Sequence, residues 1–476
     1  MSLFKPTEAW VRSTLGVRLG RFARHEDGSI TILTIFIIIM MVMVGGIQLD
    51  FMRHEMERTK LQAAADRAVL AAADLDQTLA PADVVDEYFA KSGMSDYLSS
   101  VTIENGLNFR TVTVKANNEM KTQFLGRFGF PTLDVPALSK AEERVEKVEI
   151  SLVLDVSGSM KNNSKLTTMK DAAKTFIDTV LRPETKNNVS LSLIPYSEQV
   201  NVGPDIFNAL WVDTRHDFSY CIDVPDGHFV QTQMTPGFPW DQTQHFQWNT
   251  YSIESGYQQN TLHDTVCPRA VYERVRPISQ DGPSLKAQID LFQPRAGTAI
   301  YMGMKWGTAL LDPSFRETTA SLVSDSVVES TFADRPADYS DRETLKTIVL
   351  MTDGQNSNSQ RISTAYYNSS SEVVHWSKWN FNYYLSQYIK EKDWHRYYYT
   401  RYTAEKGNTL MDNICSAAKD EGIVIWTIGF EVNDTGADVM KKCASSPSHF
   451  FRVEGVELTD AFSAIASQIN QLRLTQ

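Results

Sequence analysis

Clustered basic residues are missing beyond the first few dozen positions. The chain carries 46 Lys and Arg against 58 Asp and Glu, a formal net charge of −12, which argues against a phosphate-binding surface for nucleic acid and leaves proteins as the expected partners. Gly-x-Ser-x-Gly is also absent, so no serine nucleophile elbow is presented. The 9 histidines, His25 and His54 among them, form no recognisable motif that would supply a general base, and no enzyme activity is expected. Cysteine is scarce. The 4 residues Cys221, Cys267, Cys415 and Cys443 are an even set compatible with two disulfides in an oxidising compartment. The sequence-local pairings, Cys221 with Cys267 and Cys415 with Cys443, are preferred among the three possible; free buried thiols are the alternative.

What is present is most informative at residues 148–160. An apolar strand ends in Asp155-Val156-Ser157-Gly158-Ser159-Met160, with a helix expected from Lys165 to Leu181. A strand, a Gly-containing loop and a helix place such a tip at the carboxyl end of a sheet, where open α/β folds bind ligands. Oxygen donors without His or Cys suit a hard cation: magnesium, or else calcium or manganese, rather than zinc. The competing reading is that Ser157 and Ser159 only cap the helix, and that Asp353 only opens a turn before Gly354.

Asp155-x-Ser157-x-Ser159 resembles the first segment of the metal-ion-dependent adhesion site of von Willebrand factor A (vWA) domains. Two further segments follow in the family's order: Thr298 in Gly297-Thr298-Ala299-Ile300, and Asp353 after the strand Thr347-Ile348-Val349-Leu350-Met351-Thr352. The resemblance implies that Ser157, Ser159 and Thr298 contact an ion through neutral hydroxyls, while Asp155 and Asp353 hold it directly or through water. Two carboxylates balance a divalent charge, and a coordination position left to water can accept an acidic side chain from a partner.

The run 29–49 is uncharged and about twenty residues long, the length a membrane helix requires. A signal peptide would have a shorter core and a small-x-small cleavage site, whereas this run continues through Gln48-Leu49-Asp50-Phe51. An uncleaved anchor is therefore expected. Lys5, Arg12, Arg18, Arg21 and Arg24 precede it, and Arg53, Arg58, Lys60 and Arg67 follow it, so the positive-inside bias is slight. The cysteines place the carboxyl side outside the cytoplasm. The helix formers of Leu61-Gln62-Ala63-Ala64-Ala65-Asp66 and beyond extend it, as a rigid stalk able to pack on a neighbouring copy or as a helix packed on its own domain.

The Asp27-Gly28-Ser29 entry, the Gln-Leu-Asp exit and this Ala-rich helix resemble the amino-terminal module of TadG-type tight-adherence (Flp) pilus-assembly proteins, which often carry a vWA domain behind it. Prepilin-type processing is not supported, because Leu33 stands where Glu would be expected after cleavage at Gly28.

The expected architecture is an amino-terminal cytoplasmic segment (1–28), a membrane helix (29–49), a helical stalk (50–97) and a small β-containing module with a charged linker (98–145). The module includes a hairpin turning at Asn105-Gly106. An α/β vWA domain (146–476), a doubly wound, mainly parallel and Rossmann-like sheet, completes the chain. Inserts at about 201–282 and 355–407 interrupt it. Their rings include Trp211, Tyr220, Phe229, Trp240, Phe246, Trp248, Tyr251, Trp376, Trp379, Tyr383, Tyr384, Trp394 and Tyr397 to Tyr399, expected to pack the inserts rather than form a binding face. The function implied is a single-pass bacterial inner-membrane factor for pilus assembly or adhesion, binding protein partners through a divalent ion. The alternative is a cell-envelope scaffold, oligomerising through the stalk, whose metal site is purely structural.

Overall fold

In the computed structural model, residues 27–74, 77–105, 109–144, 147–248, 264–341 and 343–470 are described. The expected cytoplasmic segment up to residue 26, the apex of the Asn105-Gly106 turn, Tyr251 and the residues after Asn470 lie outside them. The described residues form two compact units, one running to Glu143 and one from Arg144 onward.

In the first unit, α1 (Asp27–Ala73) is one helix of 47 residues. Its residues from Ile30 to Leu49 are apolar and largely exposed, and it is the single helix among the described residues long and apolar enough to cross a membrane. Beyond Asp50 its character changes. Leu61, Ala65, Ala68 and Ala72 recur at helical spacing and are buried. They pack against Val84, Val85 and Phe89 of α2 (Pro81–Lys91) and against Val112, Val114, Val135 and Ala137 of an antiparallel sheet. That sheet is β1 (Leu98–Asn105), β2 (Phe109–Lys121) and β3 (Thr132–Arg144), in the order β1-β2-β3. The Ala-rich half of α1 is thus the central helix of a small α+β core, and its small residues let the sheet approach closely. The expected charged linker is partly strand: Glu142 to Arg144 end β3, and Lys147 begins the next strand.

The second unit is built on a six-stranded sheet. Its strands are β4 (Lys147–Asp155), β5 (Val189–Tyr196), β9 (Arg276–Ser279), β10 (Thr344–Thr352), β13 (Val424–Phe430) and β14 (Phe450–Val453), ordered β14-β13-β10-β4-β5-β9. All neighbours are parallel except the edge pair β5 and β9. Central strands buried on both faces read as continuous apolar runs, as Ile348 to Met351 do.

Alternate strand residues feed two cores. Ile150, Leu152, Leu154, Val349 and Met351 pack with α3 (Lys165–Val180), α5 (Gly282–Asp290) and α12 (Glu457–Asn470). Val153, Ile194, Tyr196, Ile348 and Leu350 pack with α6 (Ile300–Ala309), α10 (Ala404–Asp420) and α11 (Asp434–Cys443). The chain is therefore α/β and doubly wound. Of the three cysteine connectivities the structure has the sequence-local one, Cys221–Cys267 within the first insert and Cys415–Cys443 joining α10 to α11.

The inserts, which carry α4 (Gly203–Ala209), β6 (Val212–Asp213), β7 (Ile222–Asp223) and β8 (Trp240–Gln242) in the first and β11 (Ser359–Ile362), α8 (Ser370–Trp376), α9 (Phe381–Tyr388) and β12 (Tyr398–Tyr402) in the second, pack mainly on the domain and on each other; α7 (Arg316–Ser324) lies between them in the chain. Phe229 and Trp240 join the α6 face of the core. Phe246, Tyr367, Trp376, Phe381 and Leu385 make a separate core, flanked by partly buried Trp248, Trp379, Tyr384, Trp394, Tyr397 and Tyr398. Trp211 and Tyr399 are the exceptions among those singled-out rings that are described, and stand exposed.

One close approach ties this fold to its carboxyl edge. A Cβ added to Gly303 of α6 would lie 2.6 Å from the Tyr196 ring and 3.0 Å from Val153. Gly303→Ala gains helix propensity but overpacks this contact, and a net loss of about 1–3 kcal/mol is expected in urea unfolding of the second unit. An unchanged midpoint would show that the helix can lift without cost.

Candidate metal centre

Three loops at the carboxyl edge of the sheet are joined by backbone. The loop after β4 pairs with the one preceding α6: Arg295 N–H donates to Val156 O at 2.9 Å, and Gly158 N–H donates to Ala296 O at 3.1 Å. The loop after β10 joins the same assembly through Ser357, whose N–H donates to Thr298 O at 2.8 Å and whose hydroxyl accepts from Thr298 N–H at 2.8 Å. Gly158 has to be small, because a Cβ there would meet Ala296 O at 3.0 Å. Asn163, Ser164, Ala296 and Glu431, in or beside these loops, hold positive φ values of 52 to 58°, a region costly for non-glycine residues.

The loops bring four of the five sequence-derived side chains into a chain of contacts. The Asp155 carboxylate, wholly buried, accepts from Ser157 N–H at 2.7 Å and from the Thr352 hydroxyl at 2.6 Å, with the Tyr196 hydroxyl at 3.4 Å. The Ser157 and Ser159 hydroxyls are 3.0 Å apart, and Ser159 donates to Asp353 Oδ1 at 2.5 Å. Asp353 Oδ2 is buried without a hydrogen bond, and Lys165 Nζ stands 3.2 Å from it while also facing Glu431 at 3.5 Å. Thr298, the fifth residue, is buried on the loop that Ser357 and Gly158 fasten to this cluster. Ser159 is half-buried and Gly158 exposed, so the cluster reaches solvent there.

Neither Ser157 nor Ser164 caps a helix with its side chain, although each precedes a helical segment. The capping explanation for Ser157 is therefore not what is found. Among the described residues no three His, Cys, Asp or Glu converge as a metal cluster. The donor set here is two carboxylates plus hydroxyls, which fits a hard cation, and Asp353 Oδ2, faced by the Lys165 ammonium but without a hydrogen bond, is the atom such an ion would satisfy.

Sequence reasoning missed Thr352, Tyr196 and Lys165. Thr352 immediately precedes Asp353, and Tyr196 ends the strand beside β4, so their positions carried a signal; Lys165, one helix entry away, carried none.

Electrostatically the centre is strained. Burial first, and the charge of Asp353 second, push the Asp155 carboxyl up from 3.8 to about 7 against the hydrogen bonds of Thr352 and Ser157. Burial and the same Asp155 charge drive the Tyr196 phenol well above its usual range.

Comparison with known proteins separates the two ends of the chain. Residues 28–75 match the Tad family, described as putative Flp pilus-assembly TadE/G-like, so the amino-terminal module is TadE/G-like. Several solved structures resemble the chain over most of its length. The vWF domain of the type V pili tip protein Mfa5 from Porphyromonas gingivalis is 16% identical over 70% of this chain and 98% of its own, with a TM-score of 0.35. The pilus adhesin RrgA from Streptococcus pneumoniae is 10% identical over 78% of this chain and 49% of its own, with a TM-score of 0.33. Proximal thread matrix protein 1 of the mussel byssus, with a zinc-occupied MIDAS motif, is 13% identical over 68% of this chain and 46% of its own, with a TM-score of 0.29. Superpositions this loose carry no argument about this chain's chemistry. No curated protein matches the sequence.

The Asp155 shift gives a pH prediction. Because folding favours the neutral carboxyl, the folded state holds its proton more tightly than the unfolded chain, so stability is fully present below 3.8 and is lost as pH rises through about 7. In chelator, the melting temperature is expected to fall across that window, and Asp155→Asn should flatten the slope. A wild-type profile that is flat or rising there would refute the buried-carboxylate account.

Proposed function

We propose that this chain is a membrane-anchored, extracytoplasmic factor of tight-adherence pilus assembly or adhesion that binds protein partners through a divalent ion held by Asp155, Ser157, Ser159, Thr298 and Asp353. The single observation that carries the reading is the junction of Asp155, Ser157, Ser159 and Asp353 at the carboxyl edge of a parallel sheet, with Asp353 Oδ2 left without a hydrogen bond. The TadE/G-like segment at 28–75 supports the pilus setting. Two disulfides in the second unit support an oxidising, extracytoplasmic location for it. With the apolar helix as a single-pass anchor, the amino terminus would then be cytoplasmic, in a bacterial inner membrane.

The residues divide the work. Thr352 and Tyr196 hold one oxygen of Asp155 from within the domain, leaving the carboxylate fixed in direction. Ser157 and Ser159 present neutral oxygens, so the site's charge is set by its two aspartates. Bound magnesium would supply an electrophilic position open to a partner's carboxylate. Lys165 stands beside Asp353 and partly offsets its charge; it is the group that has to yield when a divalent charge arrives. A hydroxyl-rich cluster with no histidine among it suits holding rather than turnover, so the role is binding and not catalysis.

Two measurements test this. Magnesium at a hundred times its dissociation constant should stabilise the protein by about 2.7 kcal/mol, and Asp155→Ala should abolish that gain. Affinity capture from membranes, with the intact chain and Asp155→Ala, each in magnesium or chelator, reads the partner. Pilus components retained only by the intact chain in magnesium support the proposal; the same partners in all four samples would point to a scaffold with a structural site.

A further inference from the structure

The connection between β2 and β3, residues 122–131, is seated on α1 at the end of its apolar run. Asp50, wholly buried, accepts the N–H groups of Gln123 at 3.0 Å, Phe124 at 2.7 Å and Leu125 at 2.8 Å. One turn earlier, Gly46 offers no side chain, and the Phe124 ring occupies that space: a Cβ on Gly46 would lie 2.2 to 2.7 Å from three ring carbons. The neck of the loop is closed by Thr122, whose N–H donates to Pro131 O at 3.0 Å and whose hydroxyl donates to Phe130 O at 2.6 Å. A short turn, Leu125–Phe128, and the left-handed Gly129 then project the tip.

What the tip projects is apolar. Phe128 is 52% exposed and Phe130 58%, on a loop with no apolar partner for either ring in the unit's core. The helix beside them exposes Val44, Leu49, Phe51 and Met52, so the apolar surface continues from the span. Arg127 lies on the same tip, and Lys121 and Arg53 stand near its base. Aromatic rings among basic residues suit the boundary between acyl chains and anionic headgroups. The level also agrees. At 1.5 Å per residue, Gly46 lies about 5 Å inside the end of a run long enough to fill the roughly 30 Å hydrocarbon core.

We propose that this loop is a second membrane contact, inserting Phe128 and Phe130 into the interfacial layer of the leaflet from which α1 emerges. Asp50 and Gly46 are its seat. A single helix can rotate and tilt in a bilayer, whereas a helix with a wedge fixed to its side has one preferred rotation. The first unit is thereby held against the membrane surface in a defined orientation. The inference rests on α1 being a membrane anchor, and the test separates the two.

All four native cysteines are paired, so an introduced cysteine is the only free thiol. Full-length chains carrying Ile38→Cys, Asp83→Cys, Phe128→Cys or Phe130→Cys, each labelled with an environment-sensitive fluorophore, are reconstituted into phosphatidylcholine–phosphatidylglycerol vesicles. Spin-labelled lipids then act as quenchers. Labels at 128 and 130 should lose most of their emission to a quencher near the headgroups, the label at 38 to one deep in the chains, and the label at 83 to neither. Quenching at 38 with 128 and 130 as bright as 83 overturns the loop contact and leaves the anchor standing; a label at 38 that no lipid quenches overturns both. Cross-linking between copies through residue 128, in place of lipid quenching, also overturns it and assigns the surface to a second copy.

Discussion

The arrangement of the second unit follows from one constraint, the burial of two carboxylates at a single point on the sheet's carboxyl edge. Asp155 and Asp353 end adjacent parallel strands, and that parallel pairing, with Leu154 opposite Met351, is what brings them together. Charges so placed repel each other and lose hydration, a cost of several kcal/mol per ion unless donors or a cation compensate. The fold compensates in part. Thr352, Tyr196 and a backbone N–H serve Asp155, and Ser159 donates to Asp353 Oδ1, while Asp353 Oδ2 has the Lys165 charge beside it but no hydrogen bond. A core this well packed has no structural need for such a pair, as apolar residues would fill the same space at lower cost.

Much of this was legible in the sequence because it depends on local pattern. Apolar runs mark strands buried on both faces, and β4, β10 and β13 fall where those runs are, while β5 was legible from Val and Leu alternating with Ser190 and Ser192. The Asp-x-Ser-x-Ser spacing is readable because its donors lie within the five consecutive residues 155–159. Lys165 was not readable for the converse reason: its contact with Asp353 joins positions 188 residues apart in the chain, and nothing in its own neighbourhood marks it. The alanine-rich stretch was ambiguous on physical grounds as well. A small-residue face suits a neighbouring helix or a sheet equally, and the structure gives it to the unit's own β2 and β3.

The first unit applies the same economy to a different problem. A long helix that changes from lipid-facing to core-packing along its length needs a defined point of change. Asp50 marks it, as a carboxylate tolerable neither among acyl chains nor in an apolar core unless its oxygens are occupied. The three N–H groups of residues 123–125 occupy them. The loop that supplies these donors is in turn held in place by the residue it satisfies.

The inserts, finally, are wired to the loops at the sheet's carboxyl edge rather than appended to the domain. Glu198, buried in the turn after β5, accepts from the Ser359 hydroxyl at 2.7 Å, and a backbone hydrogen bond from Gly297 also lowers its carboxyl against the stronger upward push of burial. Arg361 donates to Ser359 at 2.9 Å and holds Asp223 of the first insert with two nitrogens, at 2.8 and 2.9 Å. Lys305, buried on α6, donates to the backbone oxygens of His228, Gln231 and Gln233. Each of these is a buried polar group whose removal would leave a buried partner unsatisfied, which is costlier than losing apolar contact of similar area. The two inserts therefore brace the Gly297-Thr298 segment from behind. Aromatic content alone could not reveal this, because the rings supply the inserts' bulk while a handful of charges supplies their attachment.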